Sequence, residues 1–302
     1  MKKLRSKTLF LTFVLLTSCA QVVFYPEECQ HYIKAGNYQK AIEISKTAIK
    51  AYPRNVEPYL CLSDAYLHKG ELENAINTMK RAEQVAPSYE DLAVIYNRLG
   101  FMYHLKGDLS TALKYHQKHL SISRELDDTK GQFIAHVNIA DIYQSMGDYT
   151  KAIEYYQKSI HFISDPKDGV LVYKNIAQAY IKQGKYKDAI ESYKTAYKYA
   201  EKTDDKKLIG ALLIDLGDAH RLNKDFKSAS EYLIRGLEIA KAQKDKQLMA
   251  HAYLKWGFFY RDRGDYSSAK EFFKRAYEIY ISTNNKKKAQ EVLEQIKQIE
   301  RR

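Results

Sequence analysis

The chain has 302 residues, of which 45% are hydrophobic, 13% aromatic and 28% charged. That apolar content excludes a disordered polymer, and the length is more than one compact core usually holds, so an extended or divided architecture is expected. The formal net charge is +12, but four positive charges fall within residues 1–18 and the others are spread along the chain. This distribution predicts a solvated surface and no nucleic acid partner.

The first residues have the pattern of an export signal. Residues 2–7 are basic and contain no acid, residues 9–16 form an apolar run, and small polar residues follow. The apolar run is far shorter than the roughly 20 residues that a membrane-spanning helix needs, so a secretory signal peptide is predicted. Its end, Leu-Thr-Ser-Cys at residues 16–19, resembles the lipobox of bacterial lipoproteins. In that family the signal is cut before the cysteine, whose thiol carries a diacylglycerol.

This resemblance implies a signal peptide at residues 1–18, a lipid anchor on Cys19 and a short tether over residues 19–25. It also implies the bacterial cell envelope, and Ala20-Gln21 after the cysteine implies the outer membrane if the host has two. Two or three acyl chains, at about 0.8 kcal/mol per buried methylene, would hold the chain on a membrane durably. The alternative is an ordinary signal peptide with a cysteine at this place by chance.

Seven units of similar sequence follow, and two features mark each unit. A turn carries Gly followed two residues later by Tyr, Phe or Leu, and an Ala stands five residues after that Gly. The alanines are Ala41, Ala75, Ala112, Ala152, Ala189, Ala229 and Ala269, at successive spacings of 34, 37, 40, 37, 40 and 40 residues. Only the sixth unit lacks the Gly, because Lys224 stands in its place.

Two further positions repeat before each turn. Four residues ahead of the Gly position stands Tyr in six units and His220 in the sixth, and three residues further ahead stands Cys, Ser, Gly or Ala. A small residue lets a partner helix approach closely, the ring fills the space beside it, and Gly permits a sharp reversal. The pattern resembles the tetratricopeptide repeat, whose unit is a helix–turn–helix hairpin. The resemblance implies an all-α, right-handed superhelical solenoid of about seven hairpins over residues 26–285, in which the tyrosines serve packing.

The longer spacings and the two ends add detail. Units of 37 to 40 residues resemble the elongated variant of the repeat in kinesin light chains and bacterial peptide-sensing regulators, which bind peptides or disordered partners. Pro26 followed by two glutamates predicts a helix start. Val292, Ile296 and Ile299 form an apolar stripe, which predicts that residues 286–302 are a capping helix for the last hairpin.

Two cysteines, Cys29 and Cys61, remain after removal of the signal peptide. In an oxidising compartment they could pair in a disulfide. Alternatively, Cys29 is simply the small residue of the first unit and has only a packing role. The sequence leaves this choice open.

The first helices of such a solenoid line its inner groove, where the relatives bind peptides. Residues close to the small position, at helical spacing, point toward this groove. Asn138 and Asn175 suit an extended chain, because an amide both donates and accepts hydrogen bonds. The candidate ligand-binding residues are Arg98, Phe101, Asn138, Asp141, Asn175, Gln178, Asp215, Lys255, Phe258 and Arg261. The alternative is that these side chains only solvate the inner wall.

No catalytic or metal-binding motif appears in the sequence, so neither an enzyme nor a cofactor or metal is predicted. His116 and His119 have the spacing of metal ligands, but they fall on packing positions of a second helix, and a buried polar contact is predicted for them. Lys174 and Gln178 match the carboxylate clamp of chaperone-binding relatives only in part, since Asp215 then has the wrong charge.

The sequence therefore predicts a non-enzymatic scaffold, anchored to a membrane by its lipid, that binds a protein or peptide partner in its groove. The alternative is a cytoplasmic regulator that senses a signalling peptide, which requires that residues 1–19 are not a signal. No residue identifies the partner.

Overall fold

The computed structural model describes residues 26–301, and this part of the chain contains fifteen α-helices and no strand. The signal peptide, the lipid site Cys19 and the tether predicted for residues 1–25 lie outside the described residues. The helices alternate as first and second helices of seven hairpins, and one further helix, α15, follows them. The predicted all-α repeat class is confirmed.

Two compact units divide the chain after Pro87. The first unit contains hairpins 1 and 2, formed by α1 (Pro26–Lys34), α2 (Tyr38–Ala51), α3 (Glu57–His68) and α4 (Leu72–Val85). The second unit contains hairpins 3 to 7 and α15. Its helices are α5 (Tyr89–Lys106), α6 (Leu109–Glu125), α7 (Thr129–Ser145), α8 (Tyr149–Ser159), α9 (Pro166–Lys182), α10 (Tyr186–Ala200), α11 (Lys206–Leu222), α12 (Phe226–Ala242), α13 (Lys246–Asp262), α14 (Tyr266–Ser282) and α15 (Lys286–Glu300). A 3-10 turn at Ile160–Phe162 follows α8.

The turn within each hairpin has a common construction. Six of the turns place Gly in the left-handed region, with φ between 73° and 84°, and Lys224 takes the same conformation in hairpin 6 with φ 64°. The next residue is Asn or Asp in five hairpins, and its side chain caps the second helix. In hairpin 3, for example, Asp108 Oδ1 accepts a hydrogen bond of 3.1 Å from the Thr111 amide. The repeated Gly-Asp pair thus ends one helix and begins the next.

The repeated small residues and rings form the helix–helix contacts. All seven alanines of the second helices are fully buried. In hairpin 7, Gly257 packs against the Phe273 ring so closely that a Cβ at that position would overlap the ring. The Tyr143 and Tyr155 rings stack at a centroid distance of 5.4 Å, and equivalent pairs stack in hairpins 3, 6 and 7. These contacts agree with the packing role predicted for the tyrosines.

The two cysteines of the first unit are paired. Cys29 of α1 and Cys61 of α3 form a disulfide across a Cα–Cα distance of 6.2 Å, which lies within the usual range for such bonds. Helix α1 has nine residues and buries only Cys29 and Ile33. Because so little apolar surface holds α1, the covalent link to α3 is a main tether of this helix. The structure therefore favours the disulfide over a packing role alone.

Candidate functional site

Two cavities of the second unit are lined mainly by first helices. The first cavity, of about 590 Å³, is called the Asp215 cavity and is lined by Gln144, Ser145, Tyr149, Gln178, Ile181, Lys182, Tyr193, Asp215, Asp218, His251 and Lys255. The second, of about 570 Å³, is called the Phe101 cavity and is lined by Asn97, Arg98, Phe101, His104, His116, Ile134, Asn138 and Asp141. Both have the size of ordinary ligand sites.

The Phe101 cavity brings together four of the predicted residues, which are Arg98, Phe101, Asn138 and Asp141. The ring of Phe101 is 51% exposed, although it belongs to a well-packed helix. The Asn138 side chain donates a hydrogen bond of 2.8 Å to Asn97 Oδ1. Asp141 accepts a hydrogen bond from the Tyr156 hydroxyl, and burial raises the pKa of this carboxyl. This cavity therefore offers an exposed ring beside amide and carboxyl groups.

The Asp215 cavity brings together three more predicted residues, Gln178, Asp215 and Lys255. Burial raises the pKa of Asp215 to about 6, because the opposing effects of Lys255 and Lys174 are weaker than the loss of solvent. His251 Nε2 lies 3.5 Å from Asp215 Oδ1. Burial lowers the pKa of His251 to about 3, so this imidazole is neutral at neutral pH and the contact is not an ion pair.

A network of charged groups continues from this cavity along α11 and α13. Asp218 accepts hydrogen bonds from Arg221 Nε at 2.8 Å and from Lys255 Nζ at 2.7 Å. Burial alone would raise the pKa of Asp218, but Lys255 and Arg221 hold it below its ordinary value. Arg221 also pairs with Asp262, which accepts a hydrogen bond of 3.2 Å from Arg261 Nε. Both carboxylates of this network are thus neutralised by cations of the chain itself.

The other three predicted residues line neither cavity. Asn175 interacts with the Tyr156 hydroxyl. The Phe258 ring lies 4.8 Å from the guanidinium of Arg261, whose Nη1 also donates to Gln295 Oε1 at 2.9 Å. These side chains have partners within the repeat array, so their contact with a ligand stays a prediction.

Several residues of the Asp215 cavity were not among the predicted set. Tyr193 comes from a second helix, where only packing was expected, and its hydroxyl reaches Gln178. His251 lies four residues before Lys255, so both point to the same side of α13. That i, i+4 spacing is the signal that could have identified His251. Nothing in the repeat pattern indicated Tyr193, because its position is otherwise a core position.

The histidine pair of hairpin 3 is buried, as its packing positions predicted. His116 and His119 are 2% and 5% exposed, but Nδ1 of each ring has no hydrogen-bond partner, so a polar contact at that atom is not formed. Within residues 26–301 no group of three His, Cys, Asp or Glu side chains could hold a metal ion. Nor is any of the described helices both long and apolar enough to cross a membrane.

Comparisons with known proteins identify the repeat. A family model described as tetratricopeptide repeat matches residues 55–125, 91–161 and 170–242, and a second model of the same description matches residues 250–280. A TPR repeat-containing protein of Methanocaldococcus jannaschii is 25% identical over 132 residues, which are 44% of this chain and 22% of that protein. The chain spans less than a third of the length of the curated relatives it matches.

Solved structures show the same fold at low identity. The C-terminal part of a TPR repeat-containing protein from Cytophaga hutchinsonii superposes with a TM-score of 0.60 and 19% identity, covering 89% of this chain and 99% of that one. A signal transduction ATPase with a tetratricopeptide repeat sensor from Pyrococcus horikoshii gives a TM-score of 0.60 and 18% identity, covering 92% of this chain and 47% of that one. Similarity at this level shows the fold alone.

Proposed function

The chain belongs to the tetratricopeptide repeat family, and on that premise we propose that it is a non-enzymatic scaffold held on a bacterial envelope membrane by a lipid on Cys19. Proteins of this repeat fold act as protein-interaction scaffolds, because stacked hairpins create long continuous surfaces. The proposed partner is an extended segment of another protein, which lies along the Phe101 and Asp215 cavities.

The observation that carries this proposal is that the two cavities adjoin. His104 of the Phe101 cavity lies 3.0 Å from the Ser145 hydroxyl of the Asp215 cavity. An extended segment can therefore pass from one cavity to the other. Along this path it meets amide groups of Asn138 and Gln178, which can pair with a peptide backbone, and the exposed Phe101 ring, which can bury an apolar side chain.

Two features support the proposed anchor. The sequence at residues 16–19 resembles a lipobox, and the first described helix begins at Pro26, a few residues after Cys19. The disulfide between Cys29 and Cys61 also suits an oxidising compartment outside the cytoplasm, since cytoplasmic thiols are usually kept reduced.

The anchor is tested by metabolic labelling with palmitate. We expect the wild-type chain to incorporate label and to sediment with membranes, and Cys19→Ala to lose the label, because the acylated thiol is absent. Cys29→Ala is the matched control and should keep the label. An unprocessed, unlabelled chain in the cytosol would instead favour the peptide-sensing regulator.

The binding face is tested by cross-linking the full chain to its partners in native membranes. Replacement of Phe101 by Ala is expected to weaken recovery of the partner about tenfold, the usual effect of removing an aromatic anchor from an interface. Leu105→Ala is the matched control, because Leu105 lies on the same helix and is 57% exposed but lines neither cavity. Equal recovery with Phe101→Ala and Leu105→Ala would remove the Phe101 cavity from the proposed interface.

A further inference from the structure

The carboxylate of Asp215 differs from the other acids around it in having no cation in contact. Its side chain is 18% exposed, and among residues 26–301 its only partner at ion-pair distance is His251. That imidazole is neutral at neutral pH because burial lowers its pKa to about 3. A partly buried carboxylate without a cationic contact is costly, and a cation placed beside it would stabilise the site.

The cations nearest to Asp215 are already engaged or lie further away. Lys255 Nζ is bonded to Asp218, and Arg221 bridges Asp218 and Asp262. Lys174 acts on Asp215 only at longer range, and Tyr193 of α10 and Asp218 of α11 line the same cavity and interact with it electrostatically. Among the described residues, Asp215 therefore has only the neutral imidazole of His251 within ion-pair distance, and Lys255 acts on it from further away.

A second feature of the same cavity indicates that its occupant donates hydrogen bonds. Gln144 lines the cavity, and its Oε1 is buried without a hydrogen-bond partner. Gln178, which is exposed at the same wall, offers a further amide oxygen. Two lysines also line the cavity: Lys255, which is bonded to Asp218, and Lys182, which is exposed. The carboxylate, phenol and amide oxygens on the rest of the wall of this space of about 590 Å³ suit an ammonium or guanidinium group, which has several donors and no acceptor.

We propose that the Asp215 cavity binds a lysine or arginine side chain of the partner segment. This inference rests on the proposed function and names the residue chemistry that the groove selects. The arriving cation would pair with Asp215 and donate hydrogen bonds to the side-chain oxygens of Gln144 and Gln178, while the backbone of the segment continues toward the Phe101 cavity. The charge network of Asp218 would stay intact, because its own cations already satisfy it.

The test is a peptide array probed with the full chain purified in detergent. The probes are 12-residue peptides that share one constant sequence of Ala, Ser and a single Phe. One position of this sequence is varied and is Lys, Arg, Gln, Glu or Leu. We expect Lys and Arg members to be retained at least tenfold more strongly than Glu members at pH 7.5. The preference should fall as the pH is lowered through about 6, since protonated Asp215 carries no charge.

Two variants make the result specific. Asp215→Asn keeps the shape of the side chain and should abolish the preference for Lys and Arg at every pH. Asp188→Asn makes the same charge change at an exposed position outside the cavity and should leave the preference unchanged. If peptides are retained without a preference for Lys and Arg, this inference alone is overturned. The same holds if the preference persists in Asp215→Asn. Failure to retain any peptide would overturn it together with the proposed groove binding.

Discussion

Lowering the pH from 7 to 4 is expected to destabilise the second compact unit by several kcal/mol, because imidazoles are buried there in the neutral form. Burial lowers the pKa of His116 to about 3 and that of His136 to about 4. In the unfolded chain these two imidazoles take up protons from about pH 6.5 downward, whereas in the folded chain they do so only at pH 3 to 4. Their contribution to stability is therefore fully present above pH 6.5 and is lost as the pH falls toward those values. At pH 4 the loss of stability is on the order of 3 kcal/mol for each ring.

Other groups alter the size of this effect but not its sign. His119 adds to it, because burial lowers its pKa as well. Asp215 opposes it, since a carboxyl with a pKa raised to about 6 is protonated in the folded chain before it is protonated in the unfolded one. The measurement is urea unfolding followed by circular dichroism at several pH values between 7.5 and 4. Constant stability across this range would contradict the buried neutral histidines.

A single substitution measures how much His116 contributes to the loss of stability at low pH. This ring packs on Gly100 in hairpin 3 as Phe273 packs on Gly257 in hairpin 7. Phe therefore fits the position, and His116→Phe should leave the free energy of unfolding at pH 7 nearly unchanged. It should also lower by about one the number of protons that the chain takes up on unfolding at acidic pH. The exposed His161 serves as control, and His161→Gln should retain the full dependence.

The sequence was sufficient to predict the hairpins because the repeated residues are those that form the helix–helix contacts. A small residue, a ring, a turn Gly and a second-helix Ala each recur where helices touch, so the register of every hairpin follows from the spacing. Even the exception is informative, because Lys224 takes the left-handed conformation that Gly takes elsewhere. Local chemistry and packing point to the same structure at each of these positions.

The candidate site could be predicted only in part, because pairing between neighbouring hairpins decides which polar groups stay available. The helical spacing from the small position identified Asp215 and Lys255, but not that Lys255 is bonded to Asp218 while Asp215 is left with His251. These contacts join residues 37 and 36 positions apart, and no periodic rule sets the rotamers that make them. For the same reason the pairing of Cys29 with Cys61 could not be derived from the sequence.

Removal of this disulfide is expected to have the largest effect on the first compact unit. The bond closes a loop between cysteines 32 residues apart, and the chain-entropy relation for such a loop gives about 4 kcal/mol of stabilisation. The double variant Cys29→Ala/Cys61→Ala suits both buried positions sterically, so its effect reports mainly the loss of the link. We expect α1 and α2 to exchange amide hydrogens about 100-fold faster or more, measured by mass spectrometry. The second unit provides the internal control, and its exchange should not change.

Whether this disulfide forms depends on the compartment that contains the protein. Its oxidation state therefore distinguishes the proposed envelope scaffold from the cytoplasmic regulator. In an oxidising compartment the pair stays closed, and alkylation of the isolated chain without reductant should leave both cysteines unmodified. In the cytoplasm the thiols would be reduced, and α1, which buries only two side chains, would lose its main tether. A chain alkylated at Cys29 and Cys61 as isolated, with hydrogen exchange equal to that of the double variant, would contradict the disulfide and remove its support for export. Protection of both cysteines would agree with an oxidising compartment outside the cytoplasm, where a lipid on Cys19 would also hold the chain.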